Sequence, residues 1–225
     1  YDFRKISEWF SHHNYPNPYL LGFVLSYLGQ LGNETIEASN TRDITGHDHL
    51  ADIFIFDLLG KFLFMNDDIT DYFKNKLNMV SWHYQPFVNP ETSKIENAGS
   101  NYILRPKVKN ELEASPFVHF GMQILFGLSV PYDLYNISTA IGPAFTDPLR
   151  NKARLSTGIY IDQDNNLLGS LIINGTGDLK FRLNIYPGVI KLGKWTTGLS
   201  MAQRRSNEFW LAFNLNLPLG VGTVF

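Results

Sequence analysis

The stretch Phe209-Trp210-Leu211-Ala212-Phe213-Asn214-Leu215-Asn216-Leu217-Pro218-Leu219-Gly220-Val221-Gly222-Thr223-Val224-Phe225 decides how this chain is read. Its odd positions, from Phe209 through Leu211, Phe213, Leu215, Leu217, Leu219 and Val221 to Phe225, are almost wholly aliphatic or aromatic. Its even positions are mainly small or polar: Ala212, Asn214, Asn216, Gly220 and Gly222. Successive side chains of a strand point to opposite faces, so period-two alternation predicts one strand with an apolar side and a small, polar side.

The same pattern runs back through the second half of the chain. Leu179, Phe181, Leu183 and Ile185 alternate with Lys180, Arg182, Asn184 and Tyr186; Leu155, Thr157, Ile159 and Ile161 alternate with Arg154, Ser156, Gly158, Tyr160 and Asp162. Val118, Phe120, Ile124 and Phe126 stand opposite His119, Gly121 and Gln123. Asp164-Asn165-Asn166 and Gly175-Thr176-Gly177-Asp178 carry hairpin-turn chemistry. Nine segments between 80 and 224 qualify as strands. Single-chain bacterial barrels have even strand numbers, which sets the range at 8–10 strands, eight or ten, with ten preferred if the run from Tyr186 to Leu192 hides a turn.

Two architectures use such strands. A soluble sandwich or barrel turns the apolar face inward, whereas a membrane barrel turns it toward lipid and fills its inside with small and polar residues. The polar register here is rich in Gly, Ala and Ser rather than Lys and Glu, which favours the membrane case. The terminal Phe225, in the apolar register of an alternating strand, resembles the C-terminal signal of bacterial outer-membrane β-barrel proteins. The resemblance implies a mainly β fold, a transmembrane antiparallel β-barrel over residues 79–225 in a bacterial outer membrane, with the lipid bilayer as its first partner. An exported chain would carry a signal peptide upstream of Tyr1, since no basic-then-apolar leader opens the sequence.

Composition excludes several classes. The 225 residues are 44% hydrophobic and 18% charged, with a net charge of −2 and no cysteine. Without cysteine there is no disulfide framework, thiolate metal site or cysteine nucleophile. A near-neutral balance lacks the cationic surplus that phosphate neutralisation requires, so no nucleic-acid partner is expected. A mean hydropathy of −0.13 argues against a bundle of membrane-spanning helices. In a barrel only alternate residues meet lipid, so that value is compatible with insertion.

Residues 1–78 read differently, as an α-helical segment capping or plugging the barrel, on its periplasmic side or within it. Tyr19–Glu37 follows the break at Pro16-Asn17-Pro18; Asp48–Met65 has Leu50, Ile53, Phe54, Leu58, Leu59, Phe62 and Leu63 at helical spacing. Asp67-Asp68 precedes a third segment, Ile69–Leu77, as an acidic first turn suits the helix dipole. Between the first two helices lies a polar cluster of Glu34, Glu37, Arg42, His47, Asp48, His49, Asp52 and Asp57. Its carboxylates and histidines could serve as a general acid/base set on a lipid or glycan, or take a divalent cation; capping and ion pairing explain the same residues. No metal ligand set is fixed by spacing, and no cofactor is called for. Asn33-Glu34-Thr35-Ile36-Glu37, Arg42, Asp48-His49-Leu50-Ala51-Asp52 and Gly60 resemble the polar signature of VanZ-like envelope proteins. Asp52 stands where that signature has Asn.

Arg154, Lys180, Arg182 and Arg204 share the polar register and are expected to line a basic lumen, pairing with acids such as Asp162 or Glu208. Trp82, Tyr84, Phe87, Trp195 and Trp210 lie toward the ends of candidate strands, as interfacial girdle aromatics would, and ordinary core packing explains them equally well. The functional expectation is a structural or interaction role, as a subunit or scaffold of an envelope assembly with other outer-membrane or periplasmic proteins as partners. The alternatives are a lipid- or glycan-modifying enzyme built on Glu34, Glu37, His47, Asp48, His49 and Asp52, and a small basic-lumen channel.

Overall fold

The computed structural model describes residues 1–40, 54–55, 57–82, 87–89, 94–96, 101–108, 113–121, 123–147, 152–175, 179–193 and 195–216, with backbone alone at 33–40, 87–89, 94–96, 145–147, 152, 192 and 215–216. The chain divides into two units: residues 1–81 with 88–98, and residues 82–87 with 99–225.

The first unit is helical. It contains α1 (Asp2–His12), α2 (Pro18–Asn40), α3 (Asp57–Met65) and α4 (Asp67–Asp71), the last continuing as a π-helical turn over Tyr72–Lys76. The sequence reading did not single out α1. Its buried residues are Phe3 and Ser7, one helical turn apart. Phe3 meets the rings of Tyr19 and Phe23 edge-on or tilted, and Ser7 sits against Gly22. A Cβ added to Gly22 would lie 2.0 Å from Ser7 Oγ, so only glycine allows this α1–α2 approach. As expected, Asp67 and Asp68 open α4, and the Asn66 side chain caps it by accepting from the Ile69 amide. Arg4 bridges Glu8 and Asp67, and Lys74 reaches Glu8 at 2.9 Å, tying α1 to α4 and the π turn.

The second unit is β; all but residue 87 of the chain's first three short strands, at 80–81, 87–89 and 94–96, belong to the first unit. The strands are β1 (Val80–Ser81), β2 (Phe87–Asn89), β3 (Lys94–Glu96), β4 (Tyr102–Leu104), β5 (Ser115–Phe120), β6 (Leu125–Tyr132), β7 (Tyr135–Asp147), β8 (Lys152–Gln163), β9 (Asn166–Ile173), β10 (Leu179–Leu192), β11 (Trp195–Arg204) and β12 (Phe209–Asn216). Ten form one sheet in the order β1-β4-β5-β6-β7-β8-β9-β10-β11-β12; β2 and β3 pair separately. The expected alternation holds, and from β4 onward the sheet is an antiparallel meander of sequential neighbours. Among the described residues no ladder joins β12 back to β1, so the sheet is open. At Asp164-Asn165 both central residues have positive φ (50° and 66°), and Gln163 pairs with Asn166. That is the two-residue primed turn the sequence predicts.

Burial on this sheet is inverted relative to a water-soluble protein. Ser129, Ser138, Ser156, Asp162, Ser170, Arg182, Asn184 and Ser200 are buried, together with Ala140, Ala202 and Ala212. The alternate residues Phe126, Leu128, Ile141, Leu155, Leu211 and Phe213 are exposed, Leu155 to 66%. The polar face is concave. β4 and β8 are four strand spacings apart, about 19 Å in a flat sheet at ~4.8 Å per strand. Arg105, one residue beyond β4, nevertheless bonds directly to Asp162 on β8. Only a strongly curled sheet brings them together.

Candidate functional site

The concave face holds two bonded layers. In the first, the Arg105 guanidinium grips the Asp162 carboxylate with two parallel bonds, Nη1 to Oδ1 at 2.6 Å and Nη2 to Oδ2 at 2.9 Å. Nη1 also donates to Ser129 Oγ, and Nη2 to Asn165 Oδ1. Asn136 Nδ2 donates to Asp162 Oδ2, and Ser138 donates to Ser129. The two terminal nitrogens thus direct a bond each to two partners, in the planar fork geometry that suits arginine to carboxylates. The layer joins the end of β4 to β6, β7, β8 and the β8–β9 turn.

The second layer is aromatic and amide in character. Trp82, Phe117 and Tyr160 are buried with mutual ring-centroid distances of 5.5–5.9 Å, and His119 stacks on Tyr160 at 5.0 Å. Gln123 donates to the Tyr160 hydroxyl, and Ser156 donates to Gln123 Oε1. Trp82 Nε1 donates to the carbonyl of Asn165, linking this layer to the first. Trp82 is therefore an interior residue, the core-packing alternative of the two its position near a strand end allows. Further along, Asn184 donates to Ser170, which shares a hydrogen bond with Tyr186.

Tyr160 explains one of the small residues in the register. A Cβ on Gly158 would lie 2.5 Å from the Tyr160 ring. The ring lies back over the strand and leaves room only for hydrogen there.

The residues named from sequence are placed as follows. Glu34 and Glu37 belong to α2, whose backbone is described there but whose side chains are not; Arg42, His47, Asp48, His49 and Asp52 lie outside the described residues. Among the four basic residues of the polar register, Arg182 is buried. Arg154 is exposed near the start of β8. Lys180 bonds to Asn207 in the β11–β12 turn, and Arg204 pairs with Glu208 at 3.7 Å across that same turn. Three of the four thus sit at strand ends. Asp162 was named only as an acid available for pairing, and its partner is Arg105, which sequence reasoning did not select. Arg105 shares the buried register of Ile103, but its partner lies across the curl of the sheet and no local pattern points to it.

Chemically, the arrangement is a strut. The carboxylate and guanidinium are directed at one another and at fixed neighbours. Among the described residues no group of three or more His, Cys, Asp or Glu is disposed to hold a metal ion. No family model matches the chain, and comparison with curated proteins and with solved structures finds no match. The class that fold and site define is a curled antiparallel sheet with a polar, cross-bonded inside and an apolar outside.

Proposed function

We propose that this chain is an integral β-barrel protein of a bacterial outer membrane with a structural or scaffolding role in the envelope. The observation that carries this reading is the inverted partition of the sheet. In water, a face carrying Phe126, Leu128, Ile141, Leu155, Leu211 and Phe213 would form a large apolar patch of the kind that drives association. Burying Asp162 and Arg105 on the other face costs several kcal/mol of desolvation per ion before pairing offsets it. Both choices are sensible where hydrocarbon lies outside and the polar groups must be satisfied inside. The curl of the sheet and its ten strands agree with a small barrel.

The packed interior favours a structural role over conduction. Arg105, Asp162, Gln123, Tyr160 and Trp82 meet one another across the concave face, filling space that a channel would leave to water. A side-chain-filled barrel serves as an anchor and a surface for partners. Fractionation and gel mobility test the membrane assignment: the protein should require detergent for extraction and migrate differently before and after boiling. Recovery in the soluble fraction without detergent would refute it. Native pull-down from outer membranes tests the scaffold role; a lone chain, with no stable partner, would argue against it.

A further inference from the structure

The helical unit repeats the inversion seen on the sheet. On α3 the buried residues are Lys61 and Phe64, while Leu59, Phe62, Leu63 and Met65 are exposed. Lys61 is 3% exposed, ion-paired to Asp57 one turn earlier, with its ammonium 5.3 Å from the ring centres of both Phe23 and Tyr27 on α2. Leu59, Phe62 and Leu63, at i, i+3 and i+4, face away, Phe62 with 65% of its surface free. On α2 no charged residue occurs from Pro18 to Gly32. Leu20, Val24 and Leu28 form an exposed stripe at four-residue spacing, with Leu20 at 60%. This stripe is remote from the α1 contact, which uses Tyr19, Gly22 and Phe23.

A lysine left in water costs nothing, whereas a buried one needs a carboxylate and aromatic faces to hold it. Turning α3 by half a turn would expose Lys61 with Phe64 and bury Leu59, Phe62 and Leu63, exchanging one buried apolar side chain for three and freeing the charge, the arrangement water favours. The observed arrangement is favoured if the medium outside α3 is itself apolar. Among the described residues the unit's other ion pairs, Arg4 with Glu8 and Asp67 and Lys74 with Glu8, gather on α1, α4 and the π turn, away from these two stripes. Among the described residues no helix is long and apolar enough to cross a membrane. Contact with lipid is then lateral, as for helices held at the boundary between headgroups and acyl chains.

We propose that the helical unit is neither a plug nor a free periplasmic cap but has its own lipid-binding surface, the outer faces of α2 (Leu20, Val24, Leu28) and α3 (Leu59, Phe62, Leu63), which lie against phospholipid acyl chains. This rests on reading the chain as a membrane protein, and the test separates the two. Because these 225 residues contain no cysteine, single cysteines can be placed in the whole 225-residue chain and carry an environment-sensitive fluorophore. The protein is reconstituted in phosphatidylcholine–phosphatidylglycerol vesicles. Leu28→Cys and Phe62→Cys report on the two helices, with Leu20→Cys and Leu59→Cys as second variants should either fail to fold. Leu211→Cys reports on the sheet, and Asp68→Cys on an exposed polar position.

The expected result is that labels on both helices are quenched by nitroxide-bearing phospholipids as strongly as the label at 211. They should also be as protected from aqueous iodide, while the label at 68 is quenched by iodide. Iodide quenching at either helix, with 211 still lipid-quenched, overturns the proposal and leaves the barrel reading intact. Labels at 28 or 62 shielded from both quenchers overturn it in favour of a protein contact, such as a second copy or the interior of the sheet. If 211 itself is quenched by iodide and not by lipid, the membrane reading fails with it.

Discussion

Asp162→Ala is the most informative single change, because the carboxylate is fully buried and three N–H donors converge on it. Two come from Arg105, at 2.6 and 2.9 Å, and one from Asn136, at 3.1 Å. Alanine removes both acceptor oxygens and their three hydrogen bonds, and among the described residues leaves a buried guanidinium supported by Ser129 and Asn165. Removing one partner of a buried ion pair costs about 3–5 kcal/mol, most of it the penalty of the orphaned charge. Arg105→Ala leaves the carboxylate, among the described residues, with the Asn136 bond and should cost a similar amount. Replacing both with apolar side chains of comparable volume, Arg105→Met with Asp162→Leu, removes both charges together and should fall well short of the sum of the single losses. The measurement is denaturant unfolding of the protein in lipid vesicles, followed by tryptophan fluorescence and heat-modifiable mobility, with slopes compared to check that midpoint shifts report stability. Glu208→Ala provides the contrast: its pair with Arg204 is longer and open to water, so a change of less than about 1 kcal/mol is expected. If Asp162→Ala falls within about 0.5 kcal/mol of wild type, the range of ordinary surface changes, the strut argument is wrong.

Other outcomes follow from the same geometry. Gly22→Ala forces a methyl group against Ser7 Oγ and the Ser7 backbone nitrogen (2.0 and 2.9 Å), and should lower helical-unit stability by about 1–3 kcal/mol in thermal unfolding. Adding Ser7→Gly should recover only part of this, because the backbone contact remains. Gly158→Ala pushes on the Tyr160 ring and its bond to Gln123; a comparable loss is expected, together with altered near-ultraviolet circular dichroism from the aromatic cluster. Leu211→Arg puts a charge on the exposed face of β12 and should slow or prevent folding into vesicles, by about 2–4 kcal/mol if the residue lies at the bilayer midplane; unaltered insertion would count against a lipid-facing sheet. Acid should loosen the helical unit: partial burial draws the Glu8 carboxyl upward, but hydrogen bonds from Lys74 and Arg4 outweigh it and hold the pKa below its usual 4.5. A depressed folded-state pKa contributes stability that is complete above pH 4.5 and is lost as pH falls through the lower folded value. A unit whose stability stays flat below pH 4.5, or already falls above it, would contradict this.

The sequence and the structure agree most closely where the signal is local. Alternation between Leu179–Tyr186 or Arg154–Asp162 is a property of neighbouring residues, and it predicted both the strands and which side chains share a face. The turn at Asp164-Asn165 was legible for the same reason, since its positive φ values need residue types that tolerate them. Arg105 with Asp162 was not legible, because their meeting depends on how far the whole sheet curls, which no segment encodes alone. Trp82 is ambiguous on the same account: near the end of a predicted strand it suits a girdle or a core, and the curl carries it inside against Phe117 and Tyr160. The polar cluster between α2 and α3 falls largely outside the described residues. The helices expose a different gap. Periodicity identified an apolar face on α3 at Leu59, Phe62 and Leu63, but it carries no information about which way that face turns. Assigning it to a core presumes water outside. Lys61 removes that presumption: with its charge held between Asp57 and two aromatic rings, the helix has its polar residue where a soluble helix keeps its leucines. The sheet makes the same inversion with Arg105 and Asp162 inside and Leu155 and Leu211 outside. Two units with different secondary structure, different periods and separate polar anchors thus resolve the same ambiguity in the same direction, and an apolar environment outside both accounts for that with one cause.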